Sequence, residues 1–198
     1  VSLDTAFTAA AVRLSNLYLG RGNTRKAQGV VEKAWGLLPH PDLVGLYFRA
    51  RKVTDALGTV SALEKLLSFK PGAVEGHIAM AEAALEAQLW GQARTHLGAA
   101  MEAGRLTRKV FTLMAELEDQ DRGDKEQVRH WLARAATAAA DPLWVCASCG
   151  HVELEWSAHC PKCRSFDQMI WDTPPGLPAL PALETHIALL DSAAVEHT

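Results

Sequence analysis

Cys146, Cys149, Cys160 and Cys163 are all the thiols of this 198-residue chain, gathered within eighteen consecutive positions. They form two CxxC pairs with ten residues between them. Each pair makes a tight turn that aims two sulfurs at a point about 2.3 Å away, so two pairs complete a closed tetrahedral metal site. Zn2+ is the commonest occupant of such a site. Gly150 lets the backbone fold back over the ion, Pro161 stiffens the second turn, and Arg164 stands where a second glycine is expected. Disulfides would need an oxidising compartment, and a redox CxxC needs a βαβ setting that the flanking sequence lacks. Iron would make the site an electron carrier, but the short spacer and the lack of a redox-partner signature favour zinc.

Short strands must hold these thiols. "HVELEW" alternates Val152, Leu154 and Trp156 with polar residues, while "FDQMIW" and Leu143 to Val145 supply two more apolar stretches. Residues 143–173 therefore read as a small β zinc ribbon. About thirty residues bury too little apolar surface to fold alone, and structural zinc contributes roughly 10 to 16 kcal/mol in small modules. Only Asp141 and Pro142 separate the ribbon from an Ala-rich helix, so it is expected to cap the last helices through Trp156, Phe166 and Trp171. Pro174, Pro175, Pro178 and Pro181 mark residues 174–198 as a linker. Within it Leu183, Ile187 and Leu190 share one helical face. Whether a helix forms there stays open.

Residues 1–140 show apolar side chains at three- and four-residue spacing, the pattern of amphipathic helices. Leu14, Tyr18, Ala27, Val31, Ala34 and Pro39 fall in tetratricopeptide order around a turn at Gly22-Asn23. Small residues let two antiparallel helices approach, and large ones fill the space beside the crossing. Met80, Ala84, Ala93, Leu97 and Ala100 repeat the pattern. Val128, Leu132 and Ala135 do so again after a turn at Arg122-Gly123-Asp124. Between them Leu46, Ala50, Leu63, Leu66 and Pro71 make a less faithful unit, so four helix pairs are expected. The fold class is an all-α tetratricopeptide-like helical solenoid with a small C-terminal β zinc ribbon.

Stacked helix pairs present a concave surface that grips a protein or peptide. Arg13 and Asn16 on the first inner helix, with Arg49, Arg51 and Lys52 on the second, are the candidate donors to an acidic or C-terminal peptide. Through Leu143 there are 18 basic and 16 acidic residues, and from Trp144 onward 2 and 7. An acidic metal module on a nearly neutral body does not suit nucleic acid, whose phosphates are bound by Lys and Arg. His77 and Met80 share a helical face but read as packing residues rather than haem ligands. No Ser-His-Asp signature, phosphate-cradling loop or HExxH motif is present, which points away from an enzyme.

Helical repeats followed at once by "WVCASCGHVELEWSAHCPKCRSFDQMIWDTPP" resemble the C-terminal part of alphaproteobacterial HemY-type proteins, tetratricopeptide proteins associated with haem biosynthesis. The architecture is also similar to lipopolysaccharide assembly protein B (LapB), whose repeats pack on a rubredoxin-like metal domain and act as an adaptor for a membrane protease. The resemblance implies metal ligation by the four cysteines and a scaffold role without catalytic residues. Both families carry a membrane segment ahead of the repeats. The chain opens at Val1 directly in helical pattern, so an upstream anchor and the cytoplasmic side of a bacterial inner membrane are expected.

Overall fold

The computed structural model describes residues 3–175. The apolar face of Leu183, Ile187 and Leu190 lies outside them. Eight helices run in order among the described residues: α1 (Leu3–Gly20), α2 (Thr24–Leu37), α3 (Pro41–Arg51), α4 (Ala56–Ser68), α5 (Val74–Glu86), α6 (Trp90–Glu102), α7 (Arg108–Asp121) and α8 (Lys125–Thr137). Strands β1 (Leu143–Cys146), β2 (Val152–Glu153) and β3 (Met169–Asp172) follow in one antiparallel sheet of order β2-β1-β3. The chain is an all-α tetratricopeptide-like solenoid with a small C-terminal ribbon. Among the described residues no helix is long and apolar enough to cross a membrane.

The turns are written in local chemistry. Gly22 takes φ 72°, and Asn23 then caps α2 by accepting the Lys26 N–H at 3.1 Å. Asp55 caps α4 through the Gly58 N–H at 2.8 Å, and Asp124 caps α8 through the Glu126 and Gln127 N–H groups. The close crossings sit at Ala27, Ala34, Ala84, Ala93 and Ala100, all buried as the repeat pattern requires. Met80, Ala83, Ile78, Ala81 and Leu85 show that α5 is buried on two sides, joining a first core around Trp35 and Leu63 to a second around Leu97 and Leu117. Across the second core, Arg94 of α6 donates to Glu118 at 2.5 Å and to Asp121 at 3.0 Å, so the buried Glu118 carboxylate is paired.

Three repeat assignments change. Leu14 is 41% exposed and Tyr18 only half-buried, because α1 meets its neighbours through Ala11 and Ser15, whose small size permits closer contact. Leu132 is 48% exposed, and the neighbouring Trp131 turns inward instead, stacked on Phe111 at 6.0 Å. The second pair is opened: α3 packs mainly on α1 and α2, and α4 mainly on α5. Tyr47 of α3 is turned to α2, where its hydroxyl donates to Glu32 Oε1 at 3.0 Å.

Gly76 marks the tightest helix contact. A Cβ there would lie 2.5 Å from Leu67 Cδ2 and 2.9 Å from Trp35 Cζ2. Leu67 has a flexible end, but the Trp35 ring is fully buried and has nowhere to go. Gly76→Val is expected to lower stability by about 2 kcal/mol despite its better helix propensity, as read from the midpoint of urea unfolding.

Candidate metal centre

The two cysteine turns bond in the same way. In the first, the Gly150 N–H donates to the Cys146 carbonyl and the Cys146 N–H to that of His151, both at 2.8 Å. In the second, the Arg164 N–H donates to the Cys160 carbonyl at 2.8 Å and the Cys160 N–H to that of Ser165 at 3.0 Å. Both turns need a left-handed residue four places after the leading cysteine: Gly150 at φ 69° and Arg164 at φ 61°. Glycine adopts this conformation freely, whereas for Arg it costs about 1 kcal/mol.

The turns face each other and bring all four Sγ atoms within 4.8 Å of one another. Cys146 and Cys163 are 3.7 Å apart, as are Cys149 and Cys160. Sulfurs bound 2.3 Å from a tetrahedral ion lie about 3.8 Å apart, so these residues fit one ion, while a disulfide needs about 2.05 Å. The thiols titrate unequally. The Ser165 hydroxyl, 2.6 Å from Cys163 Sγ, and its N–H draw Cys163 down to about 6. The His151 N–H favours the Cys149 thiolate, but desolvation and the three neighbouring sulfurs outweigh it and push Cys149 up to about 12. Four crowded thiolates repel, and a bound cation removes that conflict.

The strand expected over "HVELEW" contracts to Val152–Glu153. β1 is only four residues long and pairs with it at Trp144 and Val145 alone, so the chain bends away and leaves Leu154 78% exposed.

The ribbon does not cap the last helix pair. Its linker runs beside the start of α7, where Arg108 N–H donates to the Ala139 carbonyl and Lys109 N–H to Asp141 Oδ2. The ribbon then docks on the first two helix pairs. Trp144, 1% exposed, stacks on His40 with centroids 5.0 Å apart, and Trp171 meets His40 edge-on at 4.4 Å. The Trp144 indole N–H donates to Asp42 Oδ2 at 3.2 Å. Of the three expected contacts, Trp171 belongs to this clasp, Trp156 faces α1 beside Ala9 and Arg13, and Phe166 remains 66% exposed. The reason is burial: Trp144 and Trp171 need an apolar partner, and the loop between α2 and α3 offers His40 edge and face. Sequence reasoning passed over Trp144, His40 and Asp42. Their only signal was an X-Pro-Asp helix start after Leu37 and a tryptophan two places before a cysteine.

His40 caps α3 by accepting the Asp42 N–H on Nδ1 at 3.2 Å, so it is neutral, and its 3.5 Å approach to the Asp42 carboxylate is not an ion pair. Burial pushes its pKa down to about 4, and burial also raises Asp42 against the opposing pull of the Trp144 hydrogen bond. Below its ordinary value near 6.5, unfolded His40 takes up a proton that folded His40 refuses. Stability therefore falls as pH drops from 6.5 towards 4. Between pH 7.5 and 5 the wild type is expected to lose about 2 kcal/mol more than His40→Asn, which retains a capping oxygen; urea unfolding at both pH values reads the difference.

No protein-family model matches the chain. It is 28% identical over 172 residues to the probable magnetosome protein Mms48 of Magnetospirillum gryphiswaldense, covering 86% of this chain and 38% of that relative. The chain thus spans well under half the length of the curated relative it matches. Among solved structures, MamA from residue 41 of Desulfovibrio magneticus RS-1 matches at 16% identity and a TM-score of 0.46, covering 69% of this chain and 75% of that one.

The candidate donors to a peptide divide into two groups. Asn16 accepts from Arg49 Nη1 at 3.0 Å, and Arg13 shares a hollow with Asn16, Asp42 and Trp156. Arg51 lies instead over the Tyr47 ring at 5.5 Å, and Lys52 ends α3 in a left-handed conformation at φ 55°. The first three residues are brought together beside the ribbon; Arg51 is tied to Tyr47.

Proposed function

We propose that this chain is a nonenzymatic adaptor whose helical array grips a protein or peptide beside a metal-held ribbon. Cys146, Cys149, Cys160 and Cys163 hold one Zn2+, and Arg13, Asn16 and Arg49 meet the partner. The observation that carries this reading is the clasp of Trp144 on His40 and Asp42, which makes ribbon and solenoid one surface. A ribbon serving only its own chemistry has no need of such a seat.

The resemblance to HemY-type proteins supports haem biosynthesis as the setting, at the cytoplasmic side of an inner membrane. The LapB likeness supports control of envelope-enzyme turnover, and the relative described as a probable magnetosome protein supports a magnetosome. Affinity capture from the source cells, with full-length wild type and with the clasp opened by Trp144→Ala, tests the adaptor. Partners enriched by wild type and lost from the variant are expected; a haem-pathway enzyme, a membrane protease or a magnetosome component identifies the setting. Absence of any enriched partner overturns the reading. So does visible ferric-thiolate absorbance with a reversible one-electron couple, which would make the chain an electron carrier.

A further inference from the structure

Three hollows of about 550, 370 and 480 Å³ lie along α1, and Arg13 lines all three, so they form one groove. On α1 the groove extends from Ala9 to Arg21, about 18 Å or more than three helical turns. The ribbon supplies the opposite wall at one end through Trp156, Ala158 and Phe166. Apolar surface lies bare along it, with Leu17 59% and Phe166 66% exposed. The α1 wall is basic: Arg13 and Arg21 take part in no ion pair among the described residues. The ribbon wall carries Glu155 and Asp167. A groove of this length, floor and sign suits a leucine-faced segment with its acidic side turned to α1.

The chain itself contains such a segment. Residues 176–198 hold Glu184, Asp191 and Glu196 and neither Lys nor Arg, and Leu183, Ile187 and Leu190 recur at helical spacing. Its attachment point is on the ribbon, since Pro175 Cγ lies 3.6 Å from where a Cβ on Gly150 would stand. The seven residues from Gly176 to Ala182 span up to about 25 Å, against about 20 Å for the width of a thirty-residue ribbon. We propose that the groove between α1 and the ribbon is the seat of residues 183–196 of this same chain. An outside partner at Arg13 and Asn16 must then displace that segment. Only this last consequence rests on the adaptor reading.

The test uses full-length zinc-loaded protein and a fluorescent synthetic peptide of residues 180–198. In wild type the chain's own segment competes, so the peptide is expected to bind at least 10-fold more weakly than to the triple variant L183D/I187D/L190D. Adding R13E and R21E, both at exposed positions, to the triple variant is expected to erase that gain. Equal affinity for wild type and triple variant overturns the proposal, as does binding that survives the two arginine reversals. A photo-crosslinking residue at position 187 provides a second reading: crosslinks within one chain to residues 9–21 or 154–167 are expected. Crosslinks between chains assign the groove to a second copy, and crosslinks elsewhere or none overturn the proposal. Partners still captured by wild type after such a failure leave the adaptor standing.

Discussion

Stripping the metal from zinc-loaded protein with a strong chelator is expected to unfold the ribbon while the helices remain. Wild type should carry one ion per chain. The near-ultraviolet signal of Trp144 and Trp171 should collapse, and the far-ultraviolet helix signal should hardly change. The asymmetry follows from where the apolar surface lies. The solenoid has two cores of its own, whereas the ribbon's core is Trp144, Met169 and two of the cysteines themselves. Against roughly 10 to 16 kcal/mol from structural zinc, so small a cluster cannot hold thirty residues by itself. Cys160→Ser, at the buried position of the second cysteine turn, is expected to reproduce the chelated state. Protein that purifies with less than about a fifth of an ion per chain, yet keeps the tryptophan signal, would sink the metal assignment.

Trp144→Ala is expected to cost about 3 to 5 kcal/mol and to free the ribbon from the first helices. Its ring is the largest buried group at the junction and is held on both sides by His40 and Trp171. Hydrogen exchange should rise at His40 to Asp42 and along α1, and a protease should reach the linker at residues 138–142. Trp144→Phe separates packing from hydrogen bonding. It keeps an aromatic face for His40 but removes the donor to Asp42, so a loss of about 1 to 2 kcal/mol is expected with the ribbon still docked. If Ala and Phe cost the same, the hydrogen bond rather than the stack carries the junction.

The clasp also explains why α8 buries only Ala135. The ribbon follows α8 in sequence but does not cover it, and its contact joins residues 42 and 144 across 102 positions. A tie of that length between one end of the array and a module following the other restrains the opening of the whole array. Loss of metal would therefore be felt at α1 as well as at the thiols.

What could be read from sequence was local. Two CxxC spacings mark a candidate metal site because each turn involves only neighbouring residues, and Gly150 and Arg164 occupy the same left-handed position in both turns. Ala27, Ala34, Ala84, Ala93 and Ala100 likewise report helix crossings, since a close approach admits only small side chains. Helix phase was less legible. Leu14 and Leu132 carry the right residue type one position away from the face that is buried, and a hydrophobic side chain does not say which neighbour it will meet.

Residue type and spacing thus anticipated the paired helices seen among the described residues and singled out the four thiols as one candidate metal site. Only the folded chain decided where the ribbon sits, because its seat is built from His40 and Asp42, a hundred residues from Trp144, and no periodicity links them. Long-range packing seats the ribbon on the first helices, where His40 gives Trp144 and Trp171 an aromatic partner and Asp42 accepts the indole N–H. That seating is also what places Arg13 and Asn16 in a groove rather than on an open face.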